Sequence, residues 1–443
     1  MRQSQSISSE RTITPARMVL SVCCLWALLC CWRACHAQNA EPSTPDERDK
    51  SFNARLRMHE NGLFRDMAFR CVGPVVMSGR VVDIEPIPGR PYSFYVAYAT
   101  GGLWKTENNG MRFKPLFEGQ DAVAIGDIAV HPGDPNVILV GTGEANSARS
   151  HYSGTGLYRT DDGGETWRRL GLEDSHHIGR ILIDPRDPDV IYVAAMGHLY
   201  SENDQRGVFR SRDGGESWEK ILYVDDRTGA IDITFDPKRP KVLYAAMWEK
   251  VRRAWNIDES GPGSGIYKST DGGDTWKRLK RFPQGSHIGR IGLAVAPSNR
   301  RVVYALLDNQ APKPKEDQIG DAAISAKKLP EMTKEQVLSL PDEDLGRFLR
   351  SSRFHSDYDA KEIRSMLEND EITVQDLVDY IVRLRAEALK PTVRGAEVYR
   401  SEDGGKTWRK MNLTYLDRMY NIAGYYFGQI RVSPDDEDLI YIM

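Results

Sequence analysis

The chain has 443 residues, 28% of them charged, 40% hydrophobic and 9% aromatic, with a formal net charge of −3. That balance supports a sizeable folded core and excludes a disordered or collagen-like chain; the slightly acidic charge, with no basic stripe, argues against a nucleic-acid partner. Of six cysteines, five (Cys23, Cys24, Cys30, Cys31 and Cys35) fall in the first 35 residues, so Cys71 stands alone and neither a disulfide framework nor a cysteine metal site is expected in the rest.

Residues 1–37 read as a signal peptide. Arg2, Arg11 and Arg17 precede an apolar run from Met18 to Trp32, and Ala34-Cys35-His36-Ala37 offers small residues for cleavage after Ala37. A lipid anchor at Cys35 is the alternative, which Trp32 and Arg33 fit badly. The expected location is secreted or periplasmic. Residues 38–62 read as a polar linker, and no later stretch of the mature chain reaches the roughly 20 apolar residues of a membrane span.

From residue 63 to 310, and again from 395 to 443, two phrases alternate. One is a turn: Arg159 to Trp167 (RTDDGGETW), Arg210 to Trp218 (RSRDGGESW), Lys268 to Trp276 (KSTDGGDTW) and Arg400 to Trp408 (RSEDGGKTW), with a worn copy at Lys105 to Phe113 (KTENNGMRF). Paired glycines supply positive φ, and the Asp and Ser/Thr side chains bond the turn's own amides. Asp162, Asp213, Asp271 and Asp403 are therefore expected to be structural, and Trp167, Trp218, Trp276 and Trp408 to bury their rings between neighbouring units. The turn offers too few carboxylates for a calcium loop. The second phrase, such as Ile178 to Pro185 followed by Val190 to Ala195, is a β-branched run, a proline-marked turn and another such run. Together they give four short strands about every 50 residues. The fold class is all-β: a β-propeller of four-stranded blades, about six of them visible. Phe69 to Gly73 lines up with the outermost strand of a blade and is expected to close the ring.

Residues 311–394 lose the β pattern and read as helices at Thr333 to Leu338, Asp342 to Ser351, Ala360 to Glu368 and Thr373 to Leu389, inserted into blade five. Thr373 and Asp376 suggest an N-terminal cap. Residues 395–443 complete blade five and begin blade six, whose last strands are not seen. The sequence therefore implies a truncation from seven or more blades.

The turn phrase resembles the Asp-box, or BNR repeat. Paired with the Gly-Arg-Ile…Ile-Tyr-Val-Ala-Ala phrase, it is similar to sortilin N-terminal (Vps10-type) propellers and to exported bacterial BNR-repeat, glycosyl-hydrolase-like proteins. The resemblance implies a ligand-binding propeller, or alternatively a glycoside hydrolase related to xyloglucanases or sialidases whose acids come partly from a missing C-terminal region. Xyloglucanase-like enzymes carry a catalytic Asp where this chain has Ala99, before Gly101-Gly102; no catalytic residue is assigned.

In such a blade the loop between strands two and three shares a face with the segment leading into the next blade, opposite the turns. That face gathers Arg80, Glu144, Asn146, Arg149, His151, Tyr152, His177, Arg180, Trp248, Arg252, Trp255, His287 and Arg290 as candidate ligand-binding residues for a carbohydrate, protein or peptide. Arg80, Arg180 and Arg290 recur at the start of innermost strands and suggest an anion-binding ring. No cofactor motif is read, and His176, His177, His198 and His287 show no fixed metal-ligand spacing.

Overall fold

The computed structural model describes residues 42–67, 79–146, 151–253, 256–314, 324, 328–352, 354, 358–384, 393–416, 424, 426 and 428–443. The signal-peptide reading and the Phe69 strand fall outside these residues. The chain divides into two compact units, Met1–Ala54 and Arg55–Met443. Helix α1, Pro45–Glu60, begins in the first unit and buries none of its residues. It occupies much of the stretch read as a linker. Thr44 and Glu47 cap it reciprocally: Thr44 N donates to Glu47 Oε2 (2.9 Å) and Glu47 N to Thr44 Oγ1 (3.3 Å). A polar helix held by its caps has no apolar stripe, which is why composition reads it as linker.

In the second unit, the described residues form five four-stranded antiparallel sheets and two two-stranded ones, the smaller of which pairs Val251–Arg252 with Ile257–Asp258 beyond the second strand of blade 4. Blade 1 is Val81–Pro86, Phe94–Tyr98, Gly102–Thr106 and Lys114–Pro115. Blade 2 is Ile125–Val130, Ile138–Thr142, Leu157–Thr160 and Arg168–Arg169. Blade 3 is Ile178–Asp184, Asp187–Ala195, Gly207–Ser211 and Glu219–Leu222. Blade 4 is Thr228–Asp236, Arg239–Glu249, Gly265–Ser269 and Lys277–Arg278. Blade 5 is Ile288–Val295, Val303–Pro312, Val393–Ser401 and Arg409–Lys410; Ile430–Val432 and Ile440–Ile442 form the two described strands of blade 6.

The core lies between blades. Val82, Tyr95 and Leu103 of blade 1 pack with Ile125, Ile138 and Tyr158 of blade 2. Leu139 and Leu157 of blade 2 meet Ile181, Ile191 and Val193 of blade 3, and further layers join blade 3 to 4, 4 to 5 and 5 to 6. Blades 2 to 5 thus bury both faces, as their near-continuous apolar strands require. Blade 6 reaches blade 1, because Gln429 Nε2 donates to Val82 O at 3.0 Å.

The repeated turn is held the same way each time. In blade 3, Ser211 Oγ accepts from Asp213 N (3.2 Å) and Gly215 N (2.8 Å), while Asp213 Oδ1 accepts from Ser217 N (2.9 Å). Those bonds, Ser217 Oγ first, hold the Asp213 carboxyl down at about 2. The turn then clasps its own blade: Gly214 N donates to Asp189 O, as Gly163 N does to Asn136 O and Gly404 N to Arg301 O. In the worn copy Asn108 takes the Asp role, accepting from Arg112 N at 2.8 Å, and Asn109 adopts the positive φ of the first glycine. Two of the turn tryptophans reach back across the blade boundary, Trp167 Nε1 donating to Leu116 O (2.9 Å) and Trp218 Nε1 to Leu170 O (2.6 Å), whereas Trp408 Nε1 donates to Gly405 O of its own turn (3.2 Å).

The insertion leaves blade 5 after Pro312 and rejoins it at Val393. It carries helices α2 (Lys334–Leu338), α3 (Asp342–Ser351), α4 (Ala360–Glu368) and α5 (Val374–Leu384). Leu329, Val337, Leu345, Phe348, Ile363, Leu367 and Leu377 form its own core.

Candidate functional site

The axis of the ring is charged and closed by its own partners. Arg180, at the start of the blade 3 inner strand, is surrounded by Asp127 (3.0 Å), Asp232 (3.4 Å) and Asp83 (3.9 Å) from three other blades. Burial alone would favour a neutral guanidine; the Asp127, Asp232, Asp83 and Glu85 charges reverse that and raise its pKa. Burial and the Asp83 charge push Glu85 up to about 7. The same carboxylates latch adjacent blades: Asp127 Oδ2 accepts from Ile181 N (2.6 Å), Asp232 Oδ2 from Leu293 N (2.8 Å) and Asp83 Oδ2 from Ile128 N (3.4 Å). These bonds explain why an Asp recurs near that strand position.

The expected anion-binding ring does not form. Arg180 is taken up by these carboxylates, Arg80 makes a two-pronged ion pair with buried Glu144, and Arg290 bonds Asn146 Oδ1. Asn146 Nδ2 in turn donates to Glu144 Oε1 at 3.3 Å. Arg80, Glu144, Asn146 and Arg290 therefore form one chain across the channel mouth, from blade 1 through blade 2 to blade 5. A guanidinium held this way is oriented but already occupied.

Beside that chain sits a cluster of a different character. His151 packs edge-on against His177 with ring centroids 5.2 Å apart. Among the described residues both ring nitrogens of His151 are buried without a hydrogen-bond partner, as is Nδ1 of His177. Burial, then the Lys250, Arg80 and Arg252 charges, bring His151 down to about 3, so its imidazole is neutral at pH 7. Lys250, buried at the end of the blade 4 second strand, lies with Nζ 4.7 Å from the Trp248 ring centroid. Its burial, reinforced by Arg206 and Arg290, drives its pKa well below the usual lysine value.

The other sequence candidates divide. Tyr152 is exposed at the same mouth, and Tyr426 stacks 5.0 Å from the Arg80 guanidinium. Arg252 is half-buried nearby, and His287 is exposed. Trp248, expected on the face, is fully buried and donates from Nε1 to Glu259 O at 2.8 Å; its alternation along the strand turns it into the blade 4–5 core. Arg149 and Trp255 lie outside the described residues. Sequence reasoning missed Lys250, Glu259 and Asp308. Glu259 Oε2 is buried without a hydrogen-bond partner among the described residues; burial and the Asp308 charge raise this carboxyl to about 8, and burial raises Asp308 to about 6. No repeated spacing marks these residues, because they sit where blades differ.

A basic groove of about 570 Å³ opens on the side of the repeated turns, lined by Arg186, Lys241, Lys268, Arg300, Arg301 and Lys406 among others. Its residues come from three blades, so no stripe is visible along the chain. Among the described residues, no helix is long and apolar enough to cross a membrane.

Residues 155–319 match the family described as "Sortilin, neurotensin receptor 3". The chain is 27% identical over 176 residues to the xyloglucanase Xgh74A of Acetivibrio thermocellus, covering 36% of this chain and 19% of that protein. It is 28% identical over 168 residues to the photosystem II assembly lipoprotein Ycf48 of Trichormus variabilis, covering 33% of this chain and 48% of that one. The chain thus spans about a fifth of the xyloglucanase and about half of Ycf48. Among solved structures, the GH74 enzyme of Niastella koreensis superposes with a TM-score of 0.50 at 17% identity, covering 82% of this chain and 43% of that chain. Blades built around the axis, the repeated turns and these similarities agree: the chain is a β-propeller protein resembling the sortilin family and the xyloglucanases.

Proposed function

We propose that this chain is an exported propeller that binds a carbohydrate or peptide at the channel mouth opposite the repeated turns, through a carboxylate of the ligand. The observation that carries this is His151: a half-buried, neutral imidazole whose two buried nitrogens have no partner among the described residues, beside Lys250, Arg80 and Arg252. A buried polar atom without a bond costs about 1–3 kcal/mol, which a ligand or ordered water would recover. Arg252, beside Arg80 in its ion pair with Glu144, supplies the positive charge that suits a carboxylate, and Tyr152 offers a face for a sugar ring or an apolar side chain. Export is supported by the leader read in the sequence. The test is titration of uronic-acid oligosaccharides, neutral xyloglucan oligosaccharides and acidic peptides against the wild type and His151→Ala. We expect acidic ligands to bind more tightly than neutral ones and His151→Ala to weaken them roughly tenfold or more. Equal affinity for acidic and neutral ligands, or no effect of His151→Ala, would overturn the reading.

A second reading, glycoside hydrolysis, is supported by Glu259. A carboxyl raised to about 8 is still protonated at pH 7 and suits a general acid. The sign follows from the shift: the acid form is present below about 8 and is lost as pH rises through it. If this chain cleaves xyloglucan oligosaccharides, the rate falls on the alkaline side near that value, and Glu259→Gln abolishes turnover while binding persists. Turnover unaffected by Glu259→Gln excludes Glu259 as the acid.

A further inference from the structure

We infer that Asp174, His176 and His198 form a binding site for a divalent transition-metal ion of the zinc type, independent of the ligand site at the channel mouth. The three residues come from two loops on the non-turn face: Asp174 and His176 precede the blade 3 inner strand, and His198 follows that blade's second strand. One ligand atom from each lies within 4.8 Å of the others. Asp174 Oδ1 is 3.3 Å from His198 Nε2 and 3.7 Å from His176 Nε2. Ligands bound at about 2.0–2.1 Å in a tetrahedron stand roughly 3.4 Å apart, so the two Asp174–imidazole separations are close to those of ligands to one ion.

The surroundings fix this arrangement. His176 is held in the left-handed region at φ 56, with its carbonyl accepting from Gly154 N at 2.7 Å. A side chain at Gly143 would strike that carbonyl, its Cβ only 1.8 Å away. Asn203 ties the two loops: its Nδ2 donates to Asp174 O (3.0 Å) and its Oδ1 accepts from His198 N (3.0 Å). Ser201 Oγ lies 2.8 Å from His198 Nδ1. That contact sets the ring so that Nε2 faces Asp174, the outer-shell orientation a metal-bound imidazole needs.

The rings of His176 and His198 stack with centroids 3.7 Å apart and 23° between planes. Both histidines are buried, while the Asp174 side chain is 39% exposed. The fourth coordination position therefore opens towards solvent, as in sites that keep a water or exchange a ligand. Two imidazoles and one carboxylate select zinc, cobalt, nickel or copper over magnesium and calcium, which prefer all-oxygen sets.

The experiment uses the full chain, free of any histidine tag, titrated with ZnCl2 by calorimetry and with CoCl2 by visible absorption, beside His198→Ala and Asp174→Asn. The expected result is one equivalent of zinc, intense tetrahedral cobalt bands, and at least a hundredfold weaker binding in each variant. Half-exposed Asp174 can be changed without opening the core, so it decides the matter should His198→Ala misfold. Ser201→Ala is expected to weaken zinc roughly tenfold. No stoichiometric zinc, or undiminished zinc binding in Asp174→Asn, would show that the trio is only a hydrogen-bonded ion pair.

Discussion

In the blade 3 turn, the buried Ser211 hydroxyl accepts from two amides, one of them the buried Gly215 N, and donates to Asp213 at 2.7 Å. Ser211→Ala would leave Gly215 N without a partner in a turn too tight to admit water. We expect a loss of about 1–3 kcal/mol by urea unfolding, with ligand affinity at the channel mouth unchanged. Substituting the exposed Asp213 should lower the melting temperature without moving that affinity. Residue roles of this kind were legible in the sequence, because the side chains bond amides within four positions of themselves. His151 and Lys250 were not equally legible. His151 was grouped with a dozen loop residues on topology alone, and Lys250 passed unnoticed, because their environment is created by loops of different blades meeting.

At the scale of elements, the blade strands follow from β-branched runs and proline turns, and the insertion's helices from a 3.6-residue apolar stripe. The expected cap forms, Thr373 N donating to Asp376 Oδ2 at 2.8 Å and Asp376 N to Thr373 Oγ1 at 3.2 Å. Trp248 shows the limit: residue type suggested a face aromatic, and only strand alternation in the folded blade reveals it as core. The insertion's apolar cluster shares no residue with the blade clusters. Phe348→Ala is therefore expected to cost the helices about 3–5 kcal/mol, and hydrogen exchange should quicken across α2 to α5 while the inner-strand amides of blade 5 keep their protection. Loss of protection in both would show that helices and blade unfold together.

For the whole molecule, the axis matters most. Arg180, its side chain 12% exposed and Arg431 close by, compensates Asp83, Asp127 and Asp232, so Arg180→Met leaves Arg431 alone to face three carboxylates. We expect a loss of about 3–5 kcal/mol at pH 7. Burial and the Asp83 charge already hold the Asp127 carboxyl above its usual range, and removing Arg180 raises it further, so its contribution to stability is retained at low pH and lost as pH rises through the folded value. Urea midpoints of the variant and wild type should thus converge on going from pH 7 to pH 5; an unchanged gap would place the carboxylates' compensation elsewhere. The closed axis also has a topological consequence. A polymer entering along the axis meets the paired charges of Arg180 with Asp83, Asp127 and Asp232. Displacing them would leave charges without partners, so a lateral grip on a segment or an end is favoured over threading through the ring.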